Sequence, residues 1–357
     1  MRRKTCPVKV GAATIGGDAA VSIQSMTNTD TCDRESTLRQ IVRLYEAGCE
    51  LVRLAVPDES AAKLLGYYKQ HSPVPLIADI HFDFRLALLS MDEGADKIRI
   101  NPGNIGGKDN LSQVVKRAAE KNVAIRIGVN AGSVQKDIHK KHGGINADAL
   151  VESALNTLEL FESLGFYDIV ISLKASNVAA TVEAYEKIAD KVPYPLHIGV
   201  TEAGRGLKAA VKSSIGIGAL LLQGIGDTVR VSLTGDPVQE IAVAKEILQA
   251  SGVRHFGPEI ISCPTCARCK INLEALLDRV EKVTEGMREP LKIAVMGCPV
   301  NGPGEAREAD IGISGAGSKG GVVFKKGKIV KHVKDEDLIG VFEKELKDLR
   351  SKYTLTG

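Results

Sequence analysis

The feature that most constrains the fold is an alternation of short apolar segments and helix-like stretches over about the first 245 residues. The apolar segments predict eight strands, at Val21–Met26, Leu51–Val56, Pro75–Ile80, Lys97–Ile100, Val123–Gly128, Ile169–Leu173, Leu196–Val200 and Thr228–Leu233. Between them, stretches such as Arg34–Ala47 and Val238–Ala250 carry apolar residues at helical spacing. Eight β–α units of about 25–45 residues predict a (β/α)8 TIM barrel, whose usual length is about 250 residues. An open, doubly wound sheet is the alternative architecture.

The rest of the chain predicts a smaller α+β domain. Ser251–Glu259 is typical of a linker, so we predict domains at residues 1–252 and 253–357. The predicted elements of the second domain are a helix at Leu273–Glu285, a strand at Leu291–Met296, a Gly-rich loop at Gly312–Gly321, a hairpin at Val322–Val333 turned at Lys326–Gly327, and a closing helix at Asp335–Lys352. About a hundred residues of mixed structure suffice for an independent domain.

The composition is that of an ordinary cytoplasmic protein. A net charge of +3, from 47 basic and 44 acidic residues, does not indicate a nucleic-acid coat or a membrane-surface protein. No run of about eighteen apolar residues predicts a membrane span, and the basic start is not followed by the apolar region of a secretory signal. The seven cysteines are odd in number and unevenly spaced, which indicates metal or redox chemistry rather than disulfides.

Five of the predicted strands carry a cation within an apolar run, near the carboxyl end. These cations are Arg53, Arg99, Arg126, Lys174 and Arg230. A charge inside a barrel wall is costly unless it is paired or solvated, and the open place is the mouth at the C-terminal ends of the strands. Because arginine binds phosphate oxygens two at a time, the pattern predicts an anion site. The alternative is an internal network of ion pairs, for which Asp79 and Glu202 are the nearby acids.

Other polar groups stand at the predicted strand ends. They are His81, Asn101, Asn104 and Asn130. Asp79, His81 and Glu202 are candidate acid–base or hydroxyl-binding groups. The glycines of SSIGIGALLLQGIGDT do not complete a dinucleotide-binding fingerprint, and we interpret them as turn and packing glycines.

The second domain contains two cysteine motifs. SCPTCARCK holds Cys263, Cys266 and Cys269, and MGCPVNGPGE holds Cys298 about thirty residues later. A tight pair or triple with one distant cysteine is common in iron–sulfur proteins. The same spacing allows a structural zinc site in which Cys269 is the fourth thiolate. The spacing favours the iron–sulfur cluster and leaves zinc open.

Around these motifs, the chain resembles the 4-hydroxy-3-methylbut-2-en-1-yl diphosphate synthase family of the non-mevalonate isoprenoid pathway. SCPTCAR and VMGCPVNGPGEAREADIGISG carry the resemblance in the second domain. In the first domain it is carried by QSMTNTDT, YEAGCELVRLAVP, PLIADIHFD, IRINPGNIG, RIGVNAGS, HIGVTEAG, KSSIGIG and GDTVRVSLTGDP. The motifs are long, follow in order over nearly the whole chain, and resemble the shorter, two-domain bacterial form.

The resemblance implies a reaction and a cofactor. Family members convert 2-C-methyl-D-erythritol 2,4-cyclodiphosphate to the linear allylic diphosphate, with two electrons and loss of water. They hold a 4Fe–4S cluster by three cysteines and one glutamate, which correspond here to Cys263, Cys266, Cys298 and Glu305. Cys269 is not at a ligand position. The resemblance further implies ferredoxin or flavodoxin as electron donor, and a homodimer whose active site is shared between subunits.

The resemblance also implies roles for individual side chains. The substrate would be bound by Arg53, Arg99, Arg126, Asn130, Lys174, Arg230 and Ser232. Glu305 would be an exchangeable cluster ligand and then a proton donor, assisted at the ring and hydroxyls by Glu202 and the Asp79–His81 pair. The non-redox rival is a phosphate-sugar barrel, such as an aldolase or a sensor, with a zinc-binding tail, and it predicts a colourless protein. A pure electron carrier is disfavoured because it has no use for a basic barrel mouth.

Overall fold

The computed structural model describes residues 2–130, 134–144, 146–175, 177–269, 271–298, 306–315 and 320–353. The chain divides into two compact units, the first ending at Arg254 and the second beginning at His255. Each unit has its own sheet and its own buried apolar residues. No helix in these ranges is long and apolar enough to cross a membrane.

The first unit opens with an antiparallel hairpin, β1 (Val8–Val10) and β2 (Ala13–Ile15). The sequence pattern does not predict it, because strands of three residues are too short to show an alternation. The buried side chains of the hairpin pack on residues at or near the starts of four barrel strands, Leu51, Ile77, Ala124 and Val170. The hairpin therefore covers the N-terminal end of the barrel, and the C-terminal end is left for a site.

Eight parallel strands form the barrel, as predicted. They are β3 (Ser22–Met26), β4 (Leu51–Ala55), β5 (Leu76–Asp79), β6 (Lys97–Ile100), β7 (Ala124–Asn130), β8 (Ile169–Lys174), β9 (His197–Ile198) and β10 (Thr228–Val229). Their order in the sheet is β8-β7-β6-β5-β4-β3-β10-β9, and a bridge from Ile171 to Leu196 nearly closes it. The TIM-barrel prediction is confirmed. Only the last two strands are much shorter than predicted.

Nine helices of the described residues accompany these strands. They are α1 (Arg34–Glu46), α2 (Glu59–His71), α3 (Phe84–Asp92), α4 (Lys108–Lys121), α5 (Lys136–Lys141), α6 (Ala147–Ser163), α7 (Val178–Ala189), α8 (Gly206–Leu222) and α9 (Val238–Ala250). Aspartates start the first two helices: the side chains of Asp33 and Asp58 accept hydrogen bonds from the amides of Ser36 and Ala61. Since the helices cover the barrel wall, strand charges must face the interior or the mouth.

In its described residues, the second unit is a five-stranded mixed sheet with two α-helices. Its elements are β11 (Glu259–Ser262), α10 (Leu273–Thr284), β12 (Lys292–Met296), β13 (Ile311–Gly315), β14 (Gly321–Lys325), β15 (Lys328–Val333), a 3₁₀ turn (Asp335–Asp337) and α11 (Leu338–Tyr353). The sheet order is β11-β12-β13-β14-β15, with the first three strands parallel and the last two antiparallel to their neighbours. Both helices contribute to one core with the sheet, through side chains such as Val280 and Phe342.

Two predictions for the second unit need correction. The segment predicted as a Gly-rich loop contains strand β13. Its glycines are explained by close packing rather than by a loop, because a Cβ at Gly312 would collide with the Phe324 ring and one at Gly315 would collide with Ile271. Residues 316–319 of that segment lie outside the described ranges. The linker was predicted to extend through Glu259, one residue too far, since Glu259 begins β11. The hairpin turn is confirmed, with positive φ angles of 46° at Lys326 and 74° at Gly327.

Candidate active site

The five predicted cations lie together in the barrel. Arg53 and Arg99 are each 4% exposed, Arg126 is fully buried, and the strand register sets Arg99 beside Arg126. Lys174 ends β8, and Arg230 follows β10 directly. Burial is the largest cause of the lowered pKa of Lys174, and repulsion by each of the other four cations lowers it further. A small cavity here is lined by Arg53, Lys174, Tyr185, His197, Gly199, Val200, Thr201, Arg230 and Ser232.

Asp79 orients two of these cations. Its Oδ1 accepts a hydrogen bond from Arg99 Nη1 at 3.0 Å, and its Oδ2 lies 3.6 Å from Arg53 Nε. His81 is 57% exposed, and its Nε2 lies 3.5 Å from the same Oδ2. Burial alone would raise the pKa of Asp79, but the surrounding cations, Arg53 foremost, lower it well below its ordinary value. Asp79 is therefore an ionised carboxylate that holds two guanidinium groups in place.

Among the described residues, Arg126 has no such partner. None of its three guanidinium nitrogens makes a hydrogen bond within the part of the chain that is described, although all three are buried. Burial, and then repulsion by Arg53 and Arg99, lowers its pKa well below the ordinary value. A buried charge without a partner is strongly destabilising, so the arrangement calls for an anion from outside the protein.

Internal ion pairing explains only part of this site. Asp79 forms ion pairs with Arg53 and Arg99. Glu240, on α9, forms one with Arg230, whose Nη2 lies 3.4 Å from Glu240 Oε1. Asp79 and Glu240 are the two buried carboxylates that ion-pair with these barrel cations within the described ranges. The other acid expected from the sequence, Glu202, is exposed. Within the described residues, the positive charge therefore exceeds what the carboxylates paired with these cations neutralise.

Three buried residues of the site were missed by the sequence argument. Lys97 stands two residues before Arg99 on β6 and is fully buried, so strand alternation gave a signal that it also faces inward. His197 is 3% exposed, and burial followed by repulsion from Arg126 lowers its pKa well below the ordinary value. Glu240 gave a weaker signal, as an acid in the first turn of an apolar helix.

The remaining predicted residues have different environments. Glu202 adopts a left-handed backbone conformation with φ 54°, and its carbonyl accepts a hydrogen bond from Lys212 Nζ at 3.1 Å. Asn130 ends β7, and Ser232 lines the cavity. Glu305 lies outside the described residues. The chemical roles of these four residues stay predictions.

In the second unit, two of the predicted ligand cysteines follow neighbouring parallel strands. Cys263 comes directly after β11, and Cys298 comes two residues after β12. The Gly297 N–H donates a hydrogen bond to Cys263 Sγ at 3.2 Å. Such hydrogen bonds to sulfur tune the potential of iron–sulfur clusters. Cys266 is exposed, and a hydrogen bond from the Arg268 backbone, followed by one from its side chain, lowers the thiol pKa.

Cys269 makes its contacts within the second unit. Cys269 donates its thiol hydrogen bond to the Ile271 carbonyl at 3.3 Å and packs against the core of the unit. Within the described ranges, no three His, Cys, Asp or Glu side chains converge on a position for one metal ion.

Fold and site together define a class: a TIM barrel with clustered cations toward the C-terminal ends of its strands, joined to an α+β unit that carries four cysteines. Comparison with known families agrees. The GcpE TIM-barrel domain matches residues 5–245, and the GcpE protein C-terminal domain matches residues 259–348. The chain belongs to the GcpE family.

Curated relatives match over the full length. A protein of Caldanaerobacter subterraneus subsp. tengcongensis is 57% identical over 98% of both chains, and one of Clostridium tetani is 54% identical over 98% of this chain and 99% of its own. Both are named 4-hydroxy-3-methylbut-2-en-1-yl diphosphate synthase (flavodoxin). Among solved structures, Yersinia pestis dihydropteroate synthase matches with a TM-score of 0.50 at 14% identity, over 70% of this chain and 99% of its own. At that identity the likeness supports the fold alone.

Proposed function

We propose that this chain catalyses the reductive ring opening of 2-C-methyl-D-erythritol 2,4-cyclodiphosphate to 4-hydroxy-3-methylbut-2-en-1-yl diphosphate, consuming two electrons and releasing water. Membership in the GcpE family and the names of the relatives support this reaction. The observation that carries it in the structure is the buried guanidinium of Arg126, which has no partner within the described residues. A substrate that bears two linked phosphates supplies the missing negative charge.

The cofactor of this family is a 4Fe–4S cluster. Cys263, Cys266 and Cys298 would hold it, and Glu305 would be the fourth ligand. When bound there, such a cluster would supply the two electrons, one at a time. The protein's own contribution here is to hold the thiolates, and the Gly297 N–H stabilises negative charge on the Cys263 sulfur through its 3.2 Å hydrogen bond.

The barrel residues would bind and orient the substrate. Arg126 and Lys174 would take the diphosphate charge directly, together with Arg53 and Arg99, whose side chains Asp79 already orients. Arg230, Ser232 and Asn130 would complete the contacts to the diphosphate. Glu202 and the Asp79–His81 pair would assist at the ring and hydroxyls of the substrate, and both His81 and Glu202 are exposed. Glu305 would donate a proton after it leaves its ligand position.

The partners are part of the proposal. We propose flavodoxin as the electron donor, as the relatives' names indicate for them, with ferredoxin as the alternative. We further propose a homodimer that shares its active site between subunits, and a cytoplasmic location. The absence of a membrane-crossing helix in the described ranges is compatible with that location.

The test is an anaerobic assay of the reconstituted holoenzyme with the cyclic diphosphate and reduced flavodoxin, with product detection by mass spectrometry. We expect a brown protein with about four iron and four sulfide per chain, and conversion to the linear diphosphate. Arg126→Met should raise KM by about 10- to 100-fold, since it removes charged hydrogen bonds to the substrate. Arg117→Met, at a half-buried arginine that pairs with Asp92, is the control. A colourless zinc protein without turnover would refute the proposal.

A further inference from the structure

Glu240 is a buried carboxylate that joins three elements of the barrel. It lies in the first turn of α9 and is 3% exposed. Its Oε2 accepts a hydrogen bond from Ser25 Oγ on β3 at 2.7 Å. Its Oε1 accepts one from the Leu233 N–H at 3.1 Å and one from Arg230 Nη2 at 3.4 Å. Three donors compensate for the cost of burying this charge.

The segment that Glu240 contacts receives little support from the sheet. Strand β10 pairs over two residues, and the chain then leaves the ladder. The Arg230 N–H still donates to the Ile198 carbonyl at 3.0 Å, and Leu233 is tied to Glu240 three residues later. Ser232 stands between these two fixed points. Glu240 therefore fixes both the backbone of this segment and its cationic side chain.

We propose that Glu240 is a positioning residue for the diphosphate, acting through Arg230 and Ser232; this inference rests on the proposed function. Both of those residues line the cavity. Glu240 accepts a hydrogen bond from the Nη2 atom of Arg230, whereas the buried Nε atom of Arg230 has no hydrogen-bond partner among the described residues. The carboxylate thus holds one side of the guanidinium and leaves donors for phosphate oxygens. Because Arg230 is already oriented, substrate binding costs less conformational entropy.

A purely structural role, in which Glu240 only attaches α9 to the barrel, makes a different prediction. The discriminating measurement is a double-mutant cycle on the affinity for inorganic pyrophosphate, by isothermal titration calorimetry of the holoenzyme well below its unfolding temperature. If Glu240 acts through Arg230, Glu240→Ala should weaken binding by about tenfold, the scale of one charged hydrogen bond. The same substitution should have little further effect in an Arg230→Met background. Glu246→Ala, at an exposed glutamate of the same helix, is the control and should bind as the parent does.

Two further measurements keep the test decisive. Glu240→Gln preserves the shape of the side chain, so it replaces alanine in the cycle if the alanine variant does not fold. In steady-state turnover, Glu240 variants should raise KM more than they lower kcat, a split that general destabilisation does not produce. Parent-like affinity in the Glu240 variants, or a loss that adds in full to that of Arg230→Met, overturns the inference alone. Failure of the parent enzyme to bind pyrophosphate overturns the proposed anion site and the inference with it.

Discussion

Lys97 offers a direct test of whether the barrel stores uncompensated positive charge. Its side chain is fully buried on β6, and its Nζ has no hydrogen-bond partner in the part of the chain that is described. Burial, followed by repulsion from Arg126 and Arg53, lowers its pKa well below the ordinary value. The perturbation is Lys97→Met, which keeps the length of the side chain and removes the charge.

The expected effect is stabilisation of the ligand-free protein. Replacing buried charged groups with apolar residues of similar volume raises stability by about 1–4 kcal/mol, and we expect about 2 kcal/mol here. For a unit of this size that corresponds to an unfolding temperature higher by about 4–8 °C. The unfolded ammonium has the higher pKa, about 10.4, so it binds more protons than the folded one. The cost of Lys97, and the gain from methionine, is therefore largest at low pH and fades as pH rises toward 10.

The assay is thermal and urea unfolding, followed by circular dichroism at pH 7 and pH 9.5, with Lys116→Met at an exposed lysine as the control. The same variant should bind inorganic pyrophosphate more weakly, since a cation next to Arg126 has been removed. If Lys97→Met is more stable than the parent and binds pyrophosphate more weakly, the buried ammonium destabilises the free protein and contributes to anion binding. A variant that is less stable than the parent at pH 7 would refute this reasoning, because it would mean that Lys97 is paired in the folded protein.

Three further predictions follow from the same structure. Asp79→Asn removes the carboxylate that two buried arginines share, and should lower the free energy of unfolding by about 3–5 kcal/mol in urea titrations; an unchanged midpoint would contradict it. Pyrophosphate should raise the lowered pKa of Lys174, so binding should take up protons and should weaken as the pH rises above the pKa of Lys174 in the free protein, as calorimetry in buffers of different ionisation enthalpy can measure. Gly297→Ala would set a Cβ 2.6 Å from Cys269 Sγ, and should reduce the iron content per chain after anaerobic reconstitution; full iron loading would show that the loop adapts.

The barrel was predictable because its strands carry a strong local signal. Each is an apolar run bounded by turn residues, and the strand Lys97–Ile100 was predicted to the residue. The hairpin formed by Val8–Val10 and Ala13–Ile15 gave no such signal, since three residues do not define a period. In the second unit, the glycines around Gly312 suggested a loop, whereas close packing against Phe324 is what requires glycine there. Local pattern therefore predicts strands well and packing against distant residues poorly.

The candidate site was likewise predictable only where a local sequence pattern determines it. Strand alternation shows which side chains face inward, and it brings Asp79 beside Arg99 because neighbouring strands of a barrel are close in sequence. It does not show which inward charges find partners across the barrel or on the helices. Glu240 and Ser25 are 215 residues apart in sequence and 2.7 Å apart in space, and no local pattern relates them. Only the three-dimensional arrangement separates the cations that the protein pairs itself, such as Arg53, from Arg126, which it buries without a partner among the described residues. We therefore expect an anionic ligand to act first on Arg126, the buried cation that the described residues leave without a partner.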